Sequence, residues 1–131
     1  YIIAPHPYFP SPTSLGACLS QYIHCFDAVE YSSFYILRIN FNRKAVRVAQ
    51  QYGLPCIATS DQHGIPYENT NYTFVQAEKS TSGVIEALRA GRIRLETKPL
   101  SYRRLWNGLV KIGHDGASRM MGRYGEEAIP A

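Results

Sequence analysis

The sequence predicts an α/β protein in which parallel strands alternate with crossover helices. Two observations support this fold class. Short apolar stretches typical of buried strands recur at YIIA, FDAVEYSS, PCIATS, YTFVQA and RIRLET. The segments between them carry apolar residues at helical spacing, and strands that alternate with helices usually pair in parallel through right-handed crossovers. We therefore expect the order β-α-β-α-β followed by β-α-β-α, in a sheet or a barrel.

The first two helices are predicted from their caps and their apolar faces. The prolines of PHPYFPSP end the first strand, and Ser14 is expected to cap the helix that follows. A second helix is expected to begin at Asn40 or Asn42 and to end at Gly53, because glycine is the usual helix stop. The apolar residues on one face of these helices are Leu15, Cys18, Leu19 and Tyr22 in the first, and Ala45, Val48, Ala49 and Tyr52 in the second.

Two further helices are expected nearer the C-terminus. STSGVIEALRAG has a serine or threonine cap and a glycine stop, and the strand RIRLET follows it with Ile93 and Leu95 on one side. SYRRLWNGLVKIG predicts a helix with Leu105, Leu109 and Ile112 on its apolar side. Beyond His114 the sequence is polar and rich in glycine, so we expect a loosely ordered tail.

Length and composition indicate a single globular domain without a membrane anchor. The chain has 131 residues, of which 45% are hydrophobic and 18% charged. These 131 residues show no signal-peptide pattern and no apolar run long enough to span a bilayer, so we expect a cytoplasmic protein with no membrane partner. The net charge is +4, to which residues 89–104 contribute strongly. This basic stretch would suit an anionic partner, but a solvated surface is the simpler interpretation.

The three cysteines are predicted to be reduced. Cys18, Cys25 and Cys56 form no CxxC pair and are odd in number, which argues against a disulfide framework. Cys18 lies on the predicted apolar side of its helix, and Cys56 begins a predicted buried strand. Because free cysteine behaves as a small hydrophobic residue, we expect structural thiols.

Ionisable side chains follow three of the predicted strands. His6 follows the first strand, Glu30 lies at the end of the second, and Asp61 and His63 follow the third. The carboxyl ends of parallel strands meet at one edge of an α/β sheet, so these groups can share a site. Two imidazoles and a carboxylate suit zinc, manganese or iron. Asp61 can equally be a simple turn or cap residue.

Four segments, in this order, resemble the later half of the PHP family, named for polymerase and histidinol phosphatase: APHP, FDAVEYSSFY, NFNRKAVRVAQQYGLPCIATSDQH and SGVIEALRAGRI. The resemblance extends from Tyr1 to about Lys98. It implies that residues 1–98 form the C-terminal part of a distorted seven-stranded (β/α) barrel, followed by a helix and tail at 99–131. Such domains hold a cluster of divalent metals at the strand ends and hydrolyse phosphoesters.

The resemblance also implies roles for individual residues. The family's His-Pro histidine falls on His6, and its Asp-x-His pair falls on Asp61 and His63, all three as metal ligands. Glu30 is not assigned as a metal ligand, and we expect it to have a supporting or structural role. Three aromatic residues of the two loops flanking the expected site, Tyr8, Phe9 and Tyr67, are candidates for a substrate pocket. Covering the rim of the barrel is an equally good interpretation of the three.

The family's early His-x-His motif and its further His and Glu ligands have no counterpart in this sequence. We therefore expect the remaining ligands of the metal cluster (Mn, Zn or Fe) to come from an upstream, N-terminal half of the same domain, and this chain alone to be inactive. The strand-like opening at Tyr1 agrees with that expectation.

Two classes of function follow from these observations. The first is a hydrolase acting on phosphoric ester bonds, with a small phosphorylated substrate or nucleotide and a metal-activated water. The alternative is a non-catalytic PHP-like module that acts through interaction or oligomerisation, because half a barrel leaves open sheet edges. Nucleic-acid binding through residues 89–104 is a third and weaker interpretation.

Overall fold

The structure, a computed structural model, describes residues 1–61 and 70–120, and here it consists of two small sheets and the helices around them. The strands are β1 (Ile3–Ala4), β2 (Ala28–Tyr31), β3 (Cys56–Ala58), β4 (Tyr72–Val75) and β5 (Ile93–Glu96). The helices are α1 (Cys18–Gln21), α2 (Asn42–Gln51), α3 (Thr81–Arg89) and α4 (Tyr102–Met120), with a 3₁₀ turn at Ile23–Cys25.

The first sheet is parallel, with strand order β1-β2-β3. Ile3 lies opposite Ala28, and Val29 lies opposite Cys56. The hydrophobic core lies against this sheet and is formed by Ala4, Leu19, Ile23, Val29, Ala45, Val48 and Ala49. A mixed α/β fold with parallel strands is therefore confirmed, whereas a seven-stranded barrel is not shown by these elements.

The second sheet contradicts the prediction of parallel pairing throughout. β4 and β5 pair antiparallel, with Tyr72 opposite Glu96 and Val75 opposite Ile93, although α3 lies between them in sequence. The reason is the tight return after α3. Gly91 adopts φ +67, and the amide of Arg92 donates to the carbonyl of Ala87 at 2.9 Å. The chain thus turns straight back onto β4 instead of crossing the sheet.

The side chain of Thr73 links the two sheets. The amide of Ala58, the last residue of β3, donates to the Thr73 hydroxyl at 2.7 Å, and that hydroxyl donates to the Ala58 carbonyl at 2.9 Å. One hydroxyl thereby satisfies both backbone groups of Ala58, as a neighbouring strand would otherwise do. This contact sets the position of β4 beside the carboxyl end of β3.

The predicted limits of α2 and α3 are confirmed. α2 begins at Asn42, and Gly53 adopts φ +68 just beyond its end. At the start of α3 the hydroxyl of Ser80 accepts from the amide of Gly83 at 3.1 Å, the contact expected of a helix cap. The apolar side of α2 is buried at Ala45, Val48 and Ala49, but Tyr52 is exposed.

The first helix is shorter than predicted. It begins at Cys18, and Ser14 makes no cap, because Gly16 adopts φ +54 and interrupts the helical path. The amide of Gly16 donates instead to the carbonyl of Pro7 at 2.7 Å, which folds the proline-rich segment into a turn. Leu19 is buried as expected, whereas Cys18 is exposed and does not belong to the core.

α4 is longer than predicted, since it continues to Met120 and not to a loose tail after His114. Residues 121–131 lie outside the described part of the chain. Within that part, no helix has the length and apolar character needed to cross a bilayer.

The cysteines are free, and they differ in accessibility. Cys18 and Cys25 are exposed, so the expectation of three structural thiols is wrong for these two. Cys56 is largely buried, and burial raises the pKa of its thiol to about 11.

We expect the reactivity of the thiols to follow this difference. Only the thiolate is nucleophilic, and Cys56 stays protonated until the pH approaches about 11. At pH 8, iodoacetamide should alkylate Cys18 and Cys25 first and Cys56 at least tenfold more slowly, as followed by peptide mass mapping. The denatured protein, as control, should show three equally reactive thiols. Alkylation of native Cys56 at the rate of Cys18 would contradict its burial.

Candidate functional site

The carboxyl ends of β1 and β3 bring His6 and Asp61 together. These two strands flank β2 in parallel register, so the residues that follow them emerge at the same edge of the sheet. The Nε2 atom of His6 lies 3.9 Å from Oδ2 of Asp61, and both side chains are partly exposed. The sequence placed both residues at strand ends, and the structure shows that the two ends are adjacent.

Glu30 lies between them, near the end of the central strand β2. Its side chain is only 6% exposed. One carboxylate oxygen accepts a hydrogen bond from the backbone amide of His6 at 2.9 Å, and the other accepts one from the Thr59 hydroxyl. Glu30 therefore ties the segment after β1 to the segment after β3, and it holds the backbone of His6 rather than its ring.

Both residues of the pair have an uncommon backbone conformation. His6 has φ +23 and Asp61 has φ +47, and these are the non-glycine residues with positive φ in residues 1–61 and 70–120. Such conformations cost on the order of 1–3 kcal/mol and tend to cluster at functional sites, although aspartate tolerates the left-handed region better than most residues. Positive φ therefore occurs at the same two residues that were predicted from the sequence to be metal ligands.

The ring of His6 has an aromatic neighbour and one buried nitrogen. Phe9 packs edge-on against the ring at 5.8 Å, and Phe34 packs edge-on against Phe9 at 5.5 Å. Nδ1 of His6 is buried and has no hydrogen-bond partner among the described residues. A histidine ligand normally donates from its second ring nitrogen, so this atom is available to an acceptor brought by another segment.

Tyr8 and Phe9, two of the three aromatic residues proposed for a substrate pocket, lie near the site. Tyr8 lies under the ammonium group of Lys44, whose Nζ is 4.4 Å from the ring centre. Tyr8 and Phe9 line a small cavity together with Asn42 and Phe34. Tyr67 and His63 lie outside the described residues. Their assignment to the pocket and to the metal stays a prediction.

The His6–Asp61 pair fits a divalent metal in donor type and in spacing. An imidazole nitrogen and a carboxylate oxygen bound tetrahedrally to one ion at ~2.1 Å would lie about 3.4 Å apart. The observed 3.9 Å requires the side chains to close by a few tenths of an ångström. In residues 1–61 and 70–120, no group of three His, Cys, Asp or Glu side chains is arranged to hold a metal. The described residues thus bring together two side chains with donor atoms suited to a metal, and their role as ligands stays a prediction.

Two residues that support the site were missed by the sequence analysis. The Thr59 hydroxyl donates a hydrogen bond to Glu30. The only feature of the sequence that could have indicated this role is that Thr59 directly follows a strand. Asn42 was predicted only as a helix start, yet its buried side chain binds the backbone of Ser32 twice. Oδ1 accepts from the Ser32 amide at 2.8 Å, and Nδ2 donates to the Ser32 carbonyl at 3.0 Å. Asn42 thereby fixes the chain where it leaves β2.

The basic stretch at 89–104 is partly neutralised. Three of its arginines lie within ion-pair distance of carboxylates: Arg89 and Asp27 at 3.4 Å, Arg92 and Glu86 at 3.1 Å, and Arg94 and Glu96 at 3.5 Å. All of these pairs lie at the surface, where an ion pair contributes little to stability. For this part of the stretch, the arrangement favours a solvated surface over an anion-binding one.

The comparison with known families agrees with the resemblance. Residues 40–93 match the family model described as PHP-associated. The match begins just before α2 and ends at the first residue of β5, so it includes Asp61 and His63 but not His6. Neither a curated protein nor a solved structure matches the chain. The match at residues 40–93 is consistent with the C-terminal region of a PHP domain.

Proposed function

We propose that this chain supplies His6, Asp61 and His63 to the divalent metal centre of a phosphoesterase. The observation that carries the proposal is the His6–Asp61 pair, 3.9 Å apart at the carboxyl ends of two parallel strands. The positive φ of both residues supports it, because strained backbone tends to occur where function requires it. The PHP-associated match at 40–93 agrees with a hydrolytic family.

The residues of the chain would have different roles at the metal site. A manganese, zinc or iron ion bound there would supply an activated water and neutralise charge on a phosphoryl oxygen. His6 and Asp61 would hold such an ion through Nε2 and Oδ2. Glu30 keeps the backbone of His6 in place through its amide, so the ring needs little reorganisation when the ion binds. The substrate class is a small phosphorylated molecule or a nucleotide.

The remaining ligands would come from another segment of the same domain. β1 is the outer strand of the first sheet, and Ile3 on it and Ile2 just before it are exposed. An outer strand offers unpaired backbone groups to a further strand. We propose that an N-terminal segment pairs with β1 and brings ligands to the carboxyl end of the sheet, next to His6.

The same outer strand favours a second candidate function. A PHP-like module without a complete metal site would use the open edge of β1 for interaction or oligomerisation. The small number of metal-binding side chains assembled within the described residues agrees with this alternative. The two candidates differ in whether the full protein binds metal.

We expect manganese binding to depend on His6 in the full-length protein encoded by its gene. His6→Ala removes one of the two neighbouring donor atoms and should weaken Mn²⁺ binding at least about tenfold. His24→Ala is the matched control, because His24 is exposed on the 3₁₀ turn and should leave binding unchanged. Isothermal titration calorimetry gives the affinity, and circular dichroism shows whether each variant is folded.

Two results would count against the enzyme. If His6→Ala bound Mn²⁺ as tightly as wild type, His6 would not be a ligand. If the full-length protein bound no divalent metal and instead formed oligomers in analytical ultracentrifugation, the interaction module would be the better description.

A further inference from the structure

The outer face of α4 carries a row of exposed apolar side chains. Tyr102 is 67% exposed and Trp106 is 68% exposed, and Leu109 and Val110 are about half exposed. Their spacing of three and four residues places them on one side of the helix over more than two turns. Large apolar groups are not usually left in water in such a row unless they bind something.

The opposite side of α4 faces the body of the protein. Leu105 and Gly108 are partly buried there. A Cβ atom at Gly108 would lie only 2.5 Å from Cε2 of Phe34, so glycine is what allows the helix to approach this ring so closely. The helix is therefore seated by this side, and the row at Tyr102, Trp106, Leu109 and Val110 faces away from the protein.

A turn next to α4 adds to the exposed apolar surface. Leu37 is 79% exposed, Ile39 is also exposed, and the amide of Ile36 closes the turn by donating to the carbonyl of Ile39 at 3.0 Å. The segment before α4 is bonded to this region, because the amide of Leu100 donates to the carbonyl of Tyr35 at 2.7 Å.

The turn and the part of α4 that carries the apolar row have positive charge and no negative charge. Residues 36–39 and 97–111 contain no aspartate or glutamate, and they contain five basic residues: Arg38, Lys98, Arg103, Arg104 and Lys111. Arg38, Lys98 and Arg103 are exposed beside the apolar side chains. The surface is thus apolar and cationic together, which indicates an occupant that is apolar and anionic.

We propose that α4 and the turn at Leu37–Ile39 bind the surface of an anionic lipid bilayer. The helix lies flat, its apolar row enters the boundary between headgroups and acyl chains, and the flanking cations lie against lipid phosphates. The sequence analysis predicted no membrane partner because no apolar run spans a bilayer. A helix lying on the surface needs no such run. This inference is independent of the proposed metal site.

The chemistry of the surface disfavours two other occupants. A second copy of the chain would set the five basic residues of this surface against the same five. A nucleic-acid strand stacks its bases on aromatic rings, whereas four of the six exposed apolar side chains here are aliphatic, namely Leu37, Ile39, Leu109 and Val110.

The experiment uses the tryptophan already present. Trp106 is the only tryptophan of the chain and lies in the apolar row, so its fluorescence reports on insertion. We expect a blue shift and co-sedimentation with vesicles of phosphatidylcholine and phosphatidylserine at 7:3. Pure phosphatidylcholine vesicles should bind at least tenfold more weakly, and salt at 0.5 M should weaken the binding to anionic vesicles.

Matched variants separate the apolar and charged contributions. Leu109→Ser should reduce vesicle partitioning about tenfold. Val84→Ser, the same kind of change on α3, should leave it unchanged. Arg103→Gln should reduce partitioning about fivefold, whereas Lys79→Gln, an exposed lysine just before α3, should not. Circular dichroism verifies that each variant is folded.

Three outcomes would overturn the proposal. The first is an absence of binding to anionic vesicles, or equal binding to neutral ones. The second is quenching of Trp106 by a single-stranded oligonucleotide with no response to vesicles, which would assign the surface to nucleic acid. The third is concentration-dependent self-association that buries Trp106 and that Leu109→Ser abolishes.

Discussion

Asp61→Ala is expected to lower phosphoester turnover by the full-length protein at least about a hundredfold. The substitution removes the carboxylate whose Oδ2 lies 3.9 Å from Nε2 of His6, and with it the negative ligand of the pair. Loss of a partner that merely orients a ligand already costs ~10–100-fold, and loss of the ligand itself should cost more. The measurement is hydrolysis of a generic aryl phosphate with added manganese.

The controls for Asp61 separate chemistry from folding. His24→Ala alters an exposed side chain of the 3₁₀ turn and should keep nearly full turnover. Asp61→Asn keeps the shape of the side chain but not its charge, so it should lose turnover as well. Full activity of Asp61→Ala in protein that demonstrably binds metal would show that Asp61 is only a turn residue.

Asn42→Ala is expected to lower the free energy of unfolding by about 3 kcal/mol. Asn42 is 4% exposed, and its side chain bonds both the amide and the carbonyl of Ser32, which is itself buried. Alanine would leave both backbone groups without a partner, and each buried unsatisfied group costs roughly 1–3 kcal/mol. Urea denaturation followed by circular dichroism measures the loss.

Two further variants make the test specific. Asn42→Asp keeps the acceptor for the Ser32 amide but loses the donor for its carbonyl, so it should also be destabilised. Asn107→Ala removes an exposed side chain of α4 and should change stability by less than about 0.5 kcal/mol. If Asn42→Ala unfolded at the same urea concentration as Asn107→Ala, the double hydrogen bond would contribute nothing.

Local signals accounted for the elements that were predicted well. Gly53 and Ser80 act within a few residues of the helix end that each one defines, so the sequence around them is sufficient to place α2 and α3. The apolar side of α2 is likewise a local pattern, and it is buried as its spacing indicates.

The misses arose where the outcome depends on contacts between distant residues. The start of α1 is moved by the bond between Gly16 and Pro7, which lies outside any helical pattern. The direction of β5 is set by the tight turn at Gly91. The alternating pattern of a strand does not indicate whether it pairs parallel or antiparallel.

In the candidate site, too, local sequence signals were sufficient for some residues, and contacts between distant residues decided the others. His6 and Asp61 were found because each follows a strand, and chain order alone places such residues at one edge of a parallel sheet. The bonds that Glu30 makes to His6 and Thr59 depend on the register of three strands, which the sequence does not specify. Asn42 was missed as a supporting residue for the same reason, because Ser32 is ten positions away.

The backbone at His6 and Asp61 also bears on how this chain diverges in evolution. Glycine adopts positive φ without steric cost, so selection for stability alone would favour glycine at both positions. Retention of histidine and aspartate there would signify continuing selection on their side chains. Descendants in which these side chains had no role would be expected to drift toward glycine or asparagine at the two positions, while keeping Glu30 and Asn42 for the fold.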